Sequence, residues 1–120
     1  MKFKSKRCYL VYGIAANHLN AKQANYALNH WIKNQRLGKI IYHEHFASKP
    51  LGGIAIFEIS SQQELDELTM EPQKEDSYLY GWDLNYHPLI HSTDTERFIY
   101  QVQYTLSSYR GVNLSYELKD

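Results

Sequence analysis

The chain has 120 residues, enough for one domain around one core. Its 13 Lys and Arg balance its 13 Asp and Glu, a poor charge for binding nucleic acid through phosphate neutralisation. A single cysteine, Cys8, excludes an internal disulfide and fits a reducing cytoplasm, and no apolar run is long enough to span a membrane.

Lys2, Lys4, Lys6 and Arg7 precede an apolar stretch that mimics a secretory leader. That stretch is short, contains Tyr9 and Tyr12 and has no leucine run, so a strand over residues 7–15 explains it better. Residues 17–20 form a polar turn. Asn20 and Gln23 then have the spacing of a capping box. Ala24, Ala27, Leu28, Trp31 and Ile32 follow at the spacing of one helical face, and Gly38 is placed to end the helix as a left-handed cap.

A second strand is predicted over 39–46. Strict alternation puts Ile41, His43 and His45 on one face, and Ile40, Tyr42, Glu44 and Phe46 on the other. Residues 47–53 form a loop with Pro50 and two glycines. The run 54–59 is apolar except for Glu58 and is short enough for a strand buried on both faces. Ser61 and Glu64 make a second capping box, opening a helix whose apolar side is Leu65 and Leu68. Residues 70–77 are acidic, carry Pro72 and read as a loop. A fourth strand is predicted over 79–89, in which Trp82, Leu84 and Tyr86 alternate with Asp83, Asn85 and His87. Pro88 restricts that strand to a sheet edge or makes this its end.

Thr93 and Glu96 fit a third capping box. Phe98, Ile99, Val102, Leu106 and Tyr109 make a helical stripe that Gly111 closes. Val112, Leu114, Tyr116 and Leu118 then alternate with polar residues as a half-buried or edge strand. Residues 92–120 therefore form an extension of a single domain over 1–120. The extension is expected to pack over the sheet end and to add a strand to a free edge, in its own subunit or a partner's.

The order β-α-β-β-α-β predicts an α+β fold with a ferredoxin-like antiparallel sheet and two helices on one face. The other face is bare, and the apolar third strand requires it to be covered. Two uses fit. Sheets of this topology bind single-stranded RNA on stacked aromatics. Here Gly53 and Ala55 fit the third-strand pattern, but Ile54 and Ile56 stand where the aromatics belong, so no nucleic-acid partner is expected. The second use is face-to-face packing of two sheets in a homodimer.

A resemblance supports the second use. Phe57-Glu58-Ile59-Ser60-Ser61, then Glu64-Leu65-Asp66-Glu67-Leu68, Pro72 and Asp83-Leu84-Asn85-Tyr86-His87-Pro88-Leu89 look like the second half of the dimeric α/β-barrel proteins, with muconolactone isomerase and the YCII-related group as the nearest echoes. The likeness covers roughly residues 51–89. It implies a homodimer with a small cavity, and a cofactor-free isomerase, monooxygenase or lyase acting on a small aromatic or lactone-like molecule. The relatives' catalytic pairs do not carry over. Asn29 and His30 stand near the isomerase glutamate. Tyr26 and Ala27 stand where the YCII-related enzymes have their histidine, with His18 in the turn before.

Several residues are candidates for chemistry. Leu84 and Tyr86 suit the helix side, which turns Asp83, Asn85 and His87 to the bare face, with Glu58 beside them. Asp83, His87 and Glu58 are expected to carry proton transfer, with pKa values shifted by burial. The plainer alternative is that Asp83, Asn85 and His87 hydrogen-bond across the dimer, in a protein that binds a ligand or another protein without catalysis. His43-x-His45 points two imidazoles to one face, and His87 could join them on a metal. No carboxylate or thiolate is placed by sequence to complete such a set, so His43 and His45, with Asn85 and Trp82, are expected to bind ligand, with no metal and no cofactor. His18 and His91 read as surface residues, and Cys8 and Trp31 as core.

Overall fold

The structure, a computed structural model, describes residues 2–100 and 102, with side chains from Arg7 onward. Its elements run β1 (Lys2–Ile14), α1 (Ala21–Trp31), β2 (Lys39–His45), β3 (Gly52–Ser61), α2 (Gln62–Met70) and β4 (Asp83–Leu89). Short 3-10 turns at Gln35–Leu37, Glu71–Gln73 and Thr95–Arg97 lie between or after them. Among the described residues the strands make one four-stranded sheet in the order β2-β3-β1-β4. Every neighbouring pair is antiparallel. The fold is α+β.

The caps explain where the helices begin. Gln23 N–H donates to Asn20 Oδ1 at 2.8 Å, and Asn20 N–H donates back to Gln23 Oε1 at 3.0 Å, so the predicted box is complete. Glu64 N–H donates to Ser61 Oγ at 3.1 Å. The Glu64 carboxylate, however, accepts from the Ser60 N–H and hydroxyl rather than closing back on Ser61. At the third predicted start the cap is Asp94, whose carboxylate accepts from the N–H groups of Glu96 and Arg97. The rest of the predicted C-terminal stripe and the strand over 112–118 lie outside the described residues, Val102 excepted.

The structure differs from the sequence reading in several places, β1 reaching back to Lys2 and β3 taking in Gly52 and Gly53 among them. Helix α1 ends at Trp31, and Gly38 closes the separate 3-10 turn instead. Gly38 has φ +98, and an added Cβ would sit 2.7 Å from the Glu58 carbonyl, so both backbone and space favour glycine there. Strand β4 starts at Asp83, because residues 78–81 turn and Gly81 takes φ +84. In β2, Ile40 pairs with Phe57 and Tyr42 with Ile56, so Ile41 is a bulge. The bulge overturns the predicted facing: Ile40 shares its side with His43 and His45, and Tyr42 with Glu44.

Both helices pack on one sheet face. From β1, Tyr9 and Val11 are buried there. Ala55, Phe57 and Ile59 of β3 meet Leu28 and Trp31 of α1 and Leu65 and Leu68 of α2 in one core. The indole of Trp31 meets the Phe57 ring edge-on, with centroids 5.4 Å apart. Its Nε1–H donates to Glu71 at 2.8 Å, and Ser77 Oγ donates to the same carboxylate oxygen. This ties α1 to the turn after α2. Tyr86 O–H reaches the Leu68 carbonyl at 3.2 Å and fastens β4 to α2. Burial pushes the Tyr86 phenol well above its ordinary pKa, and the Glu71 carboxylate adds to the rise.

Candidate functional site

The sheet register places every predicted site residue except Trp82, which precedes β4. Asp83 pairs with Ile14, Asn85 with Tyr12 and His87 with Leu10. These three alternate with the half-buried Leu84, Tyr86 and Pro88, so they share the face away from the helices. Glu58 pairs with Cys8 on that same face. The register also separates them. Asp83 and His87 stand four residues apart on one strand, about 13 Å, and β1 lies between His87 and Glu58, which are also offset by two residues, so their backbones are about 12 Å apart. Trp82 lies on the other side of the sheet, buried, just ahead of β4.

The face that no described helix covers has an apolar middle. Leu10, Ile54 and Ile56 are half-buried, and Tyr12 and Leu89 flank them with 38% and 37% exposure. Phe46, just past β2, brings its ring 5.3 Å from that of Tyr12. Tyr42 O–H donates to Glu44 on the same side at 2.8 Å, which raises the phenol's pKa. Stacking aromatics are thus present on this face, but they come from β1 and the end of β2 rather than from β3. The Cys8 thiol is pushed up by burial and by the Glu58 carboxylate.

Two open grooves flank the sheet. One, of about 410 Å³, is lined by Pro72, Gln73, Tyr80, Trp82, Asp83 and Tyr86. Trp82 Nε1 is buried and has no hydrogen-bond partner among the described residues. The other, of about 560 Å³, is lined by polar residues including Arg36, Ser61, Glu64 and Glu67.

The tightest polar cluster lies where α1 crosses the β2 edge. The bulge at Ile41 turns His43 and His45 toward the helix side, where they pair with Ala55 and Gly53. Asn25 and Asn29 are one turn apart on α1, and Asn29 Nδ2–H donates to Asn25 Oδ1 at 2.9 Å. That leaves Asn29 Oδ1 facing the sheet. His43 Nε2 lies 3.2 Å from this oxygen and His45 Nε2 lies 3.0 Å from it. The two rings are nearly perpendicular, with centroids 5.5 Å apart. Burial, and next the neighbouring His43, hold the His45 imidazole below its ordinary pKa against the opposing pull of Glu44. Elsewhere on α1, His30 makes a ring cluster with Tyr26 and Tyr78, tilted against Tyr26 at 4.0 Å and stacked on Tyr78 at 5.3 Å, while the two tyrosines meet edge-on at 6.2 Å.

Sequence reasoning brought His43 and His45 together and named Asn29 only as standing near the isomerase glutamate, not as their partner. The signal was the pair Asn25 and Asn29 at i, i+4, on the flank of the apolar stripe that ends in Trp31. Among the described residues no group of three His, Cys, Asp or Glu side chains forms a metal centre, and no helix is long and apolar enough to cross a membrane. Comparison with protein-family models, curated proteins and solved structures found no match.

Proposed function

We propose that this chain is a small-molecule-binding protein of the ferredoxin-like kind that works as a homodimer, closed through its uncovered sheet faces. One observation carries the reading. α1 and α2 lie on the same side of the sheet, and the apolar residues Leu10, Ile54, Ile56, Tyr12 and Leu89 stand on the opposite side. Monomers rarely leave so continuous an apolar strip in water. The element order and the strand order β2-β3-β1-β4 support the ferredoxin-like assignment.

In that dimer, Asp83, Asn85, His87 and Glu58 surround the apolar middle from both protomers. Their spacing within one protomer favours binding over catalysis. Isomerase, monooxygenase or lyase chemistry that joins Asp83 or Glu58 to His87 would act across the two protomers rather than within one. Light scattering at micromolar concentration should give twice the 14.2 kDa of one chain, and a monomer mass rejects the proposal. Asp83→Asn and His87→Ala should fold as the parent does and lose ligand binding. Full retention in both removes these residues from the site.

Tyr12 and Phe46 favour one second reading, a platform on which the bases of a single strand stack. A monomer that binds single-stranded RNA through Tyr12 would select it.

A further inference from the structure

We infer that His43, His45 and Asn29 form a binding site for a divalent first-row transition ion, on the helix side of the β2 edge. The site is independent of the sheet-face dimer, which uses the opposite surface.

Two imidazole nitrogens and one amide oxygen converge there. The Nε2 atoms of His43 and His45 stand 3.2 and 3.0 Å from Asn29 Oδ1. Bonds of about 2.1 Å to one ion put neighbouring ligands about 3.0 Å apart in an octahedron and about 3.4 Å apart in a tetrahedron. Both observed separations fall within that interval. An ion beside Asn29 Oδ1 would therefore lie within bonding distance of either Nε2 once that imidazole turns from the oxygen toward the ion.

Three features hold the arrangement. Residues 43 and 45 are i, i+2 on a strand, so both side chains leave the same face. The Ile41 bulge sets that face toward α1. Asn25 takes the amide nitrogen of Asn29, which aims its oxygen at the histidines. The outer partner thus orients the ligand as second-shell groups do in metal sites.

The donor set selects the ion. Two imidazoles suit Zn²⁺, Ni²⁺ or Cu²⁺, whereas Mg²⁺ and Ca²⁺ require oxygen ligands throughout. Two histidines and an oxygen on one side leave the other coordination positions for water or for an anionic ligand. An uncharged amide is a weak donor, so the site binds more loosely than a two-histidine, one-carboxylate set. Without metal, both Nε2–H groups donate to the amide oxygen. On binding, each proton moves to Nδ1 and the freed Nε2 lone pair takes the ion.

Calorimetric titration of the full chain with ZnCl2, NiCl2 and CuCl2 tests this. We expect one ion per chain. Affinity should fall at least about tenfold in His43→Ala and in His45→Ala, and rise about tenfold in Asn29→Asp. Electron paramagnetic resonance of the Cu²⁺ complex of the unaltered protein gives a readout that no variant can confound by misfolding. Two equivalent imidazole nitrogens should couple to the copper. Absence of binding, unchanged affinity in the folded double variant His43→Ala/His45→Ala, or a copper spectrum with fewer than two imidazole nitrogens would overturn the assignment. In that case the imidazoles only hydrogen-bond Asn29.

Discussion

At the scale of single residues, environment sets what each reactive group can do, and Cys8 is the clearest example. It sits on β1 directly across from Glu58 of β3. Burial raises its pKa, and the facing carboxylate raises it further. A thiol reacts as thiolate, so Cys8 should be slow. Measured against pH, its alkylation by iodoacetamide should show a midpoint above the ordinary value of about 8.5. Glu58→Gln should lower that midpoint and speed the reaction at pH 8. The sign for stability follows from linkage. The folded pKa is raised, so the unfolded chain loses its proton first, and this contribution fades as pH climbs through the ordinary thiol range. A midpoint at or below the ordinary value, or no response to Glu58→Gln, would show that the carboxylate does not act on the thiol. Cys8 is not the core residue that the sequence predicts: its thiol is half-buried on the face away from the helices, outside the core cluster. The role of Asn29 was hidden because its partners are 14 and 16 residues away in sequence.

At the scale of elements, caps and periodicity were readable because they are local. Asn20 with Gln23 and Ser61 with Glu64 mark helix starts within a few residues, and the structure begins α1 and α2 directly after Asn20 and Ser61. The facing of β2 was not readable. One extra residue at Ile41 inverts the alternation for all that precedes it, and a bulge is fixed by the partner strand rather than by the bulged sequence. Likewise, Gly38 has the signature of a helix cap but serves a separate 3-10 turn. The start of β3 shows how two elements depend on one atom's absence. Gly53 pairs with His45. A Cβ added there would collide with the Glu44 carbonyl and come within 2.8 Å of Leu28 Cδ2 on α1. The missing side chain therefore lets β2, β3 and α1 close together, and it sets the height of His45 beside Asn29. Gly53→Ala should cost about 1–3 kcal/mol by overpacking, read from denaturant midpoints. Leu28→Ala should relieve part of the clash. Measured in the Gly53→Ala background, its own cost should be smaller than in the parent, a non-additive result. Additive costs would mean that Glu44 alone meets the new methyl.

At the scale of the molecule, the face that no described helix covers limits how strongly two chains could hold each other through it. Four strands about 4.8 Å apart and seven residues rising about 3.4 Å each make a face of about 19 by 24 Å. Its flat area is about 450 Å², against about 800 Å² per partner in a standard stable interface. Side-chain relief adds to the flat figure, but an obligate interface of 2,000 Å² or more needs further contact from beyond these strands. The proposed dimer, if formed by the strands alone, should therefore be reversible: whole at micromolar concentration, dissociating on dilution. Ile56 is the residue to test. It pairs with Leu10 on one side and Tyr42 on the other, in the middle of the strip. A lysine there keeps its stem against the sheet and its charge in water while the chain is alone. Closing the faces would bury that charge without a partner, which costs several kcal/mol. Ile56→Lys should thus give a monomer at every accessible concentration, with thermal stability extrapolated to the parent monomer changed by less than about 1 kcal/mol. Phe57→Lys, one residue along, points into the core against Trp31 and should unfold the chain instead. If Ile56→Lys stays dimeric, the chains meet elsewhere. If it unfolds as Phe57→Lys does, the face is covered within one chain and is not available to a partner.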